Sequence, residues 1–397
     1  MSTLVEGITL QKFTRPEGPC LLVNLPESFT LFTKKKQLLS ITFPEINTNN
    51  TIYSFSIKVL FGFCWVFTYE NELYSICIGT RYPYAVIFFD FLKDAIKLLK
   101  KEIPEARVNK MYEVLKKWRS DPNSPNVIAP FLSAERIYPL DVNLTHFMAY
   151  DPSVFVNDEA KIDDLWNSLV TGKGILLIGN TPEQASQAAY SVLSLIAPYK
   201  YIEMINIYTG LGDPRFLDII NGSTKWKIVA TTNALAADRC QQFKTIIKLP
   251  ARNYNPSPEL RAILQKKTAK LFYRIELQFN KRIEVDPYSD ILEYPLSAQQ
   301  INEIIQHLKM TTENFDLLQK MNFFQEWKKS IIFRSKFRES FLSFIPKQVI
   351  ATKNEAELKK ISKILEFLSS KYKNDIHMSA VISEHIKLVN NRLQPSQ

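Results

Sequence analysis

The chain predicts a mixed α/β protein built in three successive parts. These are an N-terminal α+β lobe, a central doubly wound and mostly parallel α/β module, and a C-terminal helical module. Three observations carry this reading. Between residues 162 and 231 strand-like and helix-like stretches alternate, as a parallel sheet with helices on its faces requires. Before that stretch lie short runs rich in β-branched and aromatic residues; after Glu259 only helical periodicity remains.

The central stretch is the best specified. It reads as helix 162–171, strand 175–178, helix 182–196, strand 203–208, helix 213–220 and strand 227–231. Thr181 suits the N-cap of the second helix, Pro182 needs no amide hydrogen at the first helical position, and Gln184 can reach back to complete a capping box. Ala185, Ala188, Ala189, Val192, Leu193 and Ile196 then form one apolar stripe, and Pro198 stops the helix. Strands covered on both faces should be solidly apolar, as Ile175-Leu176-Leu177-Ile178 is.

Upstream, strands are expected at 21–23, 38–43, 51–60, 62–69 and 73–79, the last two joined as a hairpin by Glu70-Asn71-Glu72. A helix follows Tyr82-Pro83-Tyr84 with Phe88, Phe91, Leu92, Ala95, Leu98 and Leu99 on its inner face, and a second spans 107–119. Residues 120–160, punctuated by proline and asparagine, read as a linker whose apolar pieces 127–128, 137–140 and 147–148 pack as extended chain. Asn253 to Pro258 mark a second boundary, beyond which helices are expected at 260–285, 298–308, 315–344, 355–371 and 379–392. The implied domains are 1–119, a linker 120–160, 161–252 and 253–397.

Composition bounds the class. The 397 residues leave room for two or three domains at roughly 150 residues each. A hydrophobic share of 46% with 23% charged residues suits a globular chain with a sizeable core. The formal charge of +10 is spread along the chain, which suits an acidic partner or an anionic membrane surface. Nucleic acid is not expected, because zinc-finger spacing, a ribonucleoprotein motif and a basic recognition helix are missing. Cys20, Cys64, Cys77 and Cys240 lie far apart and read as buried free thiols in a reducing compartment, not as a metal or disulfide framework. No secretory pattern opens the chain, and the most apolar run, 55–67, is interrupted by Lys58. The expectation is a soluble, cytoplasmic protein whose membrane contact is peripheral.

No catalytic constellation stands out. Thr171-Gly172-Lys173-Gly174 precedes a strand, whereas a phosphate loop must follow one, so it reads as a helix-to-strand turn. Leu211-Gly212-Asp213 falls short of a dinucleotide fingerprint. His146, His307, His377 and His385 are isolated, and the paired carboxylates Asp163-Asp164 and Glu355/Glu357 sit on charged helix faces. No catalytic residue, metal, cofactor or small-molecule substrate is therefore expected. The stretch from Trp327 to Arg338 mixes bulky apolar with basic residues; Lys328, Lys329, Arg334 and Lys336 are candidates for a membrane or acidic-partner face, against the plainer reading of a surface helix with an apolar inner side.

Several stretches carry a family resemblance. Leu165-Trp166-Asn167-Ser168-Leu169-Val170, the run 175–180, and 191–201 with its Ile196-Ala197-Pro198-Tyr199-Lys200-Tyr201 resemble the central module of DENN proteins, in particular the subfamily numbered six and its fungal relatives. Ala230-Thr231-Thr232-Asn233 is similar to that family's strand ending in Thr-Asn, with Ala234 where the family has proline. Met321-Asn322-Phe323 with Trp327 resembles its downstream Asn-Phe and Gly-Trp-Phe pattern, without the glycine. The resemblance implies a longin-like upstream lobe, a central DENN module and downstream helices. It also implies a guanine-nucleotide exchange factor for a Rab-family GTPase in membrane traffic, recruited to endosomal or other vesicle membranes. Such a protein grips the switch segments and stabilises the nucleotide-free state, with no acid or base. Loops beyond the carboxyl ends of parallel strands are where partners bind such sheets, which nominates Asn180, Tyr208, Leu211, Asp213, Thr232 and Asn233 for GTPase contact. Two alternatives remain: a scaffold of the same fold, and a GTPase-activating protein of the folliculin kind. The latter needs an arginine from a longin-like loop; 68–73 holds none, and Arg81 lies one strand later.

Overall fold

The computed structural model describes residues 4–29, 41–44, 50–57, 59–120, 126–139, 159–197, 199, 201, 205–210, 212–222, 225–250, 258–285, 288, 296–308, 310–331 and 335–394. They divide into two compact units, Met1–Thr268 and Ala269–Gln397. The first holds an antiparallel sheet and a parallel sheet, the second is helical.

The antiparallel sheet comprises β1 (Gly7–Thr14), β2 (Gly18–Leu25), β3 (Thr51–Ile57), β4 (Leu60–Tyr69) and β5 (Glu72–Thr80), in the order β2-β1-β5-β4-β3. The sequence reading missed β1 because the strand is buried on both faces and one face is polar: Thr9 and Gln11 are as enclosed as Ile8 and Leu10. Of the strand expected at 38–43, Ile41 and Thr42 are helical and 38–40 lie outside the described residues. Glu70 and Asn71 both take positive φ, 48° and 64°, as a two-residue type I′ hairpin turn demands. That turn sets Cys64 directly opposite Cys77, Cα atoms 4.3 Å apart, and the two form a disulfide. The expected free thiols are thus corrected for this pair; Cys20 and Cys240 are free.

Helices α1 (Ala85–Leu99) and α2 (Pro104–Leu115) cover one face of the sheet. Phe63 stacks on Phe88 at 4.5 Å and meets Phe89 edge-on. Two and four residues further along β4, Trp65 and Phe67 lie under the guanidinium of Arg107, at 5.1 and 4.2 Å. Arg107 in turn donates through Nε to the Glu102 carbonyl at 2.8 Å and through Nη2 to the Lys100 carbonyl at 2.7 Å, which pins the turn between the helices. Leu98, expected on the inner face of α1, instead points outward and is 46% exposed; the buried stripe runs through Phe88, Phe91, Leu92, Ala95 and Leu99.

Within the stretch read as a linker, the described residues form a small antiparallel sheet of β6 (Arg119–Ser120), β7 (Asn126–Pro130) and β8 (Glu135–Pro139). It is tied down by Trp118 Nε1 donating to the Pro130 carbonyl at 2.8 Å and by Ser133 Oγ donating to Asp94 at 2.6 Å. Chain that packs apolar residues such as Val127 and Ala129 in this way is not a free tether.

The parallel module follows. Its elements are α3 (Glu159–Thr171), β9 (Ile175–Ile178), α4 (Pro182–Leu193) with a 3-10 turn over Ser194–Ile196, β10 (Ile205–Thr209), α5 (Arg215–Ile220), β11 (Ile228–Thr231), α6 (Ala236–Arg239) and β12 (Thr245–Lys248). The strand order is β10-β11-β9-β12, every pairing parallel. The short pair α6 and β12 had no sequence signal long enough to read. Leu176, Ile178 and Val229 pack against Phe216, Ile219 and Ala236 from α5 and α6; α3 and α4 lie on the alternate face. The Gln184 amide donates to the Thr181 hydroxyl at 3.1 Å, the cap expected. Gln184 Oε1 reaches one residue further back than a capping box requires, to the Asn180 amide at 2.9 Å.

The two sheets meet along their edge strands β3 and β10. Ser56 Oγ donates to the Ile205 carbonyl at 3.0 Å and accepts from the Ile207 amide at 3.2 Å, standing in for a backbone partner. Ser54 offers its amide to Ser186 Oγ at 3.2 Å, and its hydroxyl lies 2.8 Å from that of Tyr190, both on α4. Burial holds the Tyr190 phenol well above its ordinary range, so it stays protonated. Tyr53 meets Tyr208 edge-on at 5.5 Å.

The second unit begins within α7 (Pro258–Val285) and contains α8 (Ala298–Leu308), α9 (Thr312–Gln319), α10 (Asn322–Ile331), α11 (Ser335–Ser343), α12 (Pro346–Thr352), α13 (Glu355–Lys371) and α14 (Ile376–Leu393). Over the one helix expected at 315–344 the described residues form three, α9, α10 and α11, the first two separated by a break at Lys320 and Met321. Phe272 anchors an aromatic cluster with Phe323, Phe324 and Trp327. Asn354 and Glu357 form a full capping box on α13. Among the described residues no helix is long and apolar enough to cross a membrane.

His385 is enclosed beside Phe341 and Phe344, with its Nδ1 2.9 Å from the Tyr288 hydroxyl. Burial lowers its pKa from 6.5 to about 4.

Two outcomes follow. Tyr190→Phe takes from the Ser54 hydroxyl its partner in the core and should lower stability in urea by about 1–2 kcal/mol. For His385, the unfolded chain takes up a proton near pH 6.5 while the folded chain resists until about pH 4. Stability should therefore fall as pH drops through that window, by up to about 3 kcal/mol. His385→Gln should flatten this part of the profile in urea titrations at stepped pH.

Candidate functional site

The arrangement of strand exits singles out one edge of the parallel sheet. β9 and β11 are neighbours, yet the chain leaves β9 for α4 on one face and β11 for α6 on the other. Where adjacent exits diverge, a crevice opens at the carboxyl ends of the strands, which is where open α/β sheets bind their ligands. The Gly179 amide donates to the Thr231 carbonyl at 2.8 Å across this point. Gly179 itself has no room for a side chain, since a Cβ would lie 2.8 Å from the Ala185 amide nitrogen. Close approach of α4 to the end of β9 thus depends on glycine.

Three of the nominated residues cluster at the exits of β10 and β11. The hydroxyls of Tyr208 and Thr232 lie 3.0 Å apart. Thr231 Oγ1 donates to the Thr209 carbonyl at 2.7 Å and accepts from the Asn233 amide at 3.1 Å. Asn233 Oδ1 then accepts from the Leu235 amide at 3.0 Å, turning the chain into α6. Tyr208 and Asn233 are buried in these roles, and Thr232 is half-buried.

Asn180, on the β9 exit, is exposed but fully engaged. Its Nδ2 donates to the carbonyls of Leu249 and Pro250 at 3.2 and 3.1 Å and to Gln184 Oε1 at 3.0 Å. It ties the exit of β9 to that of β12. Asp213 turns away from the crevice: it is buried and accepts from Arg215, whose Nε lies 3.0 and 2.9 Å from the two carboxylate oxygens. Arg215 Nη1 donates onward to the Ser56 carbonyl on β3 at 2.7 Å. Leu211 lies outside the described residues.

Among the described residues, the accessible groups at this edge include Asn180, Thr232, Ala234 and Leu235, which offer amide, hydroxyl and aliphatic contact. Among the described residues no group of three or more His, Cys, Asp or Glu could hold a metal ion. Sequence reasoning missed Arg215 and Ser56, whose contact spans 159 positions, so no local spacing could have marked it. It gave Gln184 a capping role and missed its further bond, from Nε2 to the Pro250 carbonyl at 2.7 Å.

On the second nominated surface one residue, Lys328, departs from the expectation. Lys328 is 1% exposed and belongs to the core side of α10, where its long stem packs, while Lys329 is exposed. Arg334 and the side chain of Lys336 lie outside the described residues.

Asp213→Ala should destabilise the chain by about 3 kcal/mol in urea, because it strands the Arg215 charge beside β3. Leu235→Ser should leave stability within about 0.5 kcal/mol. Any loss of partner binding in Leu235→Ser therefore reports the surface, whereas a loss in Asp213→Ala reports the scaffold. No protein-family model matches this chain, and none of the curated proteins is significantly similar to it.

Proposed function

We propose that the chain is a guanine-nucleotide exchange factor for a Rab-family GTPase, built as a longin-like lobe, a DENN module and downstream helices. The observation that carries the proposal is the junction of β3 with β10. It sets an antiparallel sheet, helix-covered on one face, edge to edge with a parallel sheet whose strand exits diverge to opposite faces at β9 and β11. That order of parts agrees with the one implied by Leu165 to Val170, Ile196 to Tyr201 and Ala230 to Asn233. Two rigidly joined sheets offer a GTPase two surfaces with a fixed separation, which suits a protein that holds switch segments apart from their nucleotide.

Exchange of this kind needs no acid, base or metal from the factor. Acceleration of nucleotide release by about a thousandfold corresponds to roughly 4 kcal/mol of preference for the nucleotide-free GTPase. An interface of ordinary size supplies this from a few anchors. Asn180, Thr232 and Leu235 are the proposed contacts on the parallel sheet, and vesicle membranes are the proposed place of action.

The test is capture of GTPases from lysate by the immobilised chain, with EDTA to strip nucleotide, beside samples loaded with GDP or a GTP analogue. Enrichment of one Rab in the stripped sample, followed by faster release of a fluorescent nucleotide from it, is the expected result. Preference for the GTP-loaded form would replace exchange with an effector or activating role, and capture of no GTPase under any condition would remove the proposal.

A further inference from the structure

We propose that the corner between α1 and α2 is a docking surface for anionic phospholipid membranes. The inference stands apart from the exchange reading, because it rests only on this corner.

Two large aliphatic side chains protrude there: Leu98 at 46% exposure on the last turn of α1, and Ile103 at 54% just before α2. Lys97, Lys100 and Lys101 surround them in sequence, all exposed. None of the three makes an ion pair among the described residues. Of the acids nearby, Glu102 is paired with Lys110 at 2.9 Å, Asp94 is buried and accepts from Ser133, and Glu105 is half-buried. The three exposed lysines therefore leave the corner with a net positive charge around two apolar tips. That is the chemistry a bilayer of acidic headgroups over acyl chains complements.

The corner is also held ready. Arg107, buried against the rings of Trp65 and Phe67, donates to the carbonyls of Lys100 and Glu102 and fixes the turn that carries both tips. Docking then orders only the ends of side chains. An acidic peptide would be gripped by a groove or a free strand edge, whereas protruding aliphatics at a helix turn suit insertion into an interface.

The experiment is flotation of the full chain with vesicles of phosphatidylcholine alone and of phosphatidylcholine with phosphatidylserine. The wild type should float only with the acidic vesicles. Lys97→Gln with Lys100→Gln and Lys101→Gln should weaken partition about a hundredfold. Leu98→Asn with Ile103→Asn should weaken it by about tenfold or more. Both variants replace exposed side chains, so their circular dichroism should match wild type. Lys363→Gln, at an exposed position of α13, should leave partition unchanged. Equal flotation with both vesicle types, no flotation with either, or insensitivity to the two corner variants would each overturn the proposal. So would capture by poly-glutamate that depends on the lysines but not on Leu98 and Ile103, which would assign the corner to an acidic chain.

Discussion

The structure of the first unit depends on how two open sheet edges are closed against each other. An edge strand presents unpaired amides and carbonyls that must find partners once buried. β3 and β10 do not continue one ladder. Instead the side chain of Ser56 enters between Ile205 and Ile207 and bonds to both, as a backbone group would. Ser54 brings α4 to the same edge through Ser186 and Tyr190. Serine suits both positions because its hydroxyl donates and accepts, and because it is small enough to let the edges approach.

Much else is arranged from this line. Arg215 reaches the Ser56 carbonyl while holding Asp213, so the loop after β10 is bound to β3 as well as to its own strand. Tyr53 and Tyr208 close the same seam from the other side of β3, and burial raises the Tyr53 phenol well above its ordinary range. Residues at the strand exits are consequently of two kinds. Tyr208, Asp213 and Asn233 spend their polar groups on the scaffold, whereas Asn180, Ala234 and Leu235 are exposed and Thr232 is half-buried. A surface of this composition binds through shape and a few hydrogen bonds, with little charge.

The helices over the antiparallel sheet follow a parallel logic. Arg107 is charged yet enclosed, which is tolerable because aromatic faces and two carbonyls replace the water it loses. The cost is offset by a rigid turn. Leu98, just before that turn, lies outside the buried stripe of Phe91, Leu92, Ala95 and Leu99 and is exposed where the sequence pattern had placed it inward.

The sequence by itself determined the elements whose information is local. Four apolar residues in a row mark β9, and Thr181 with Pro182 marks the start of α4 at the residue observed. The helix expected from residue 355 also starts there, where Asn354 and Glu357 close a capping box. Such signals lie within one turn of chain, so no distant partner is needed to read them. The type I′ turn at Glu70 and Asn71 was also local, and with it the opposition of Cys64 and Cys77, once the loop is counted as two residues and not three. Tertiary structure alone decided the rest. It buried Thr9 and Gln11 in a central strand, assigned Lys328 to a core, and broke the helix over 315–344. It also committed Asp213 to Arg215 and brought Ser56 to Ile205 across 149 positions. In each case the outcome depends on which groups the fold brings together to satisfy buried polar atoms, and that pairing is a property of the packed chain and not of any short stretch of it.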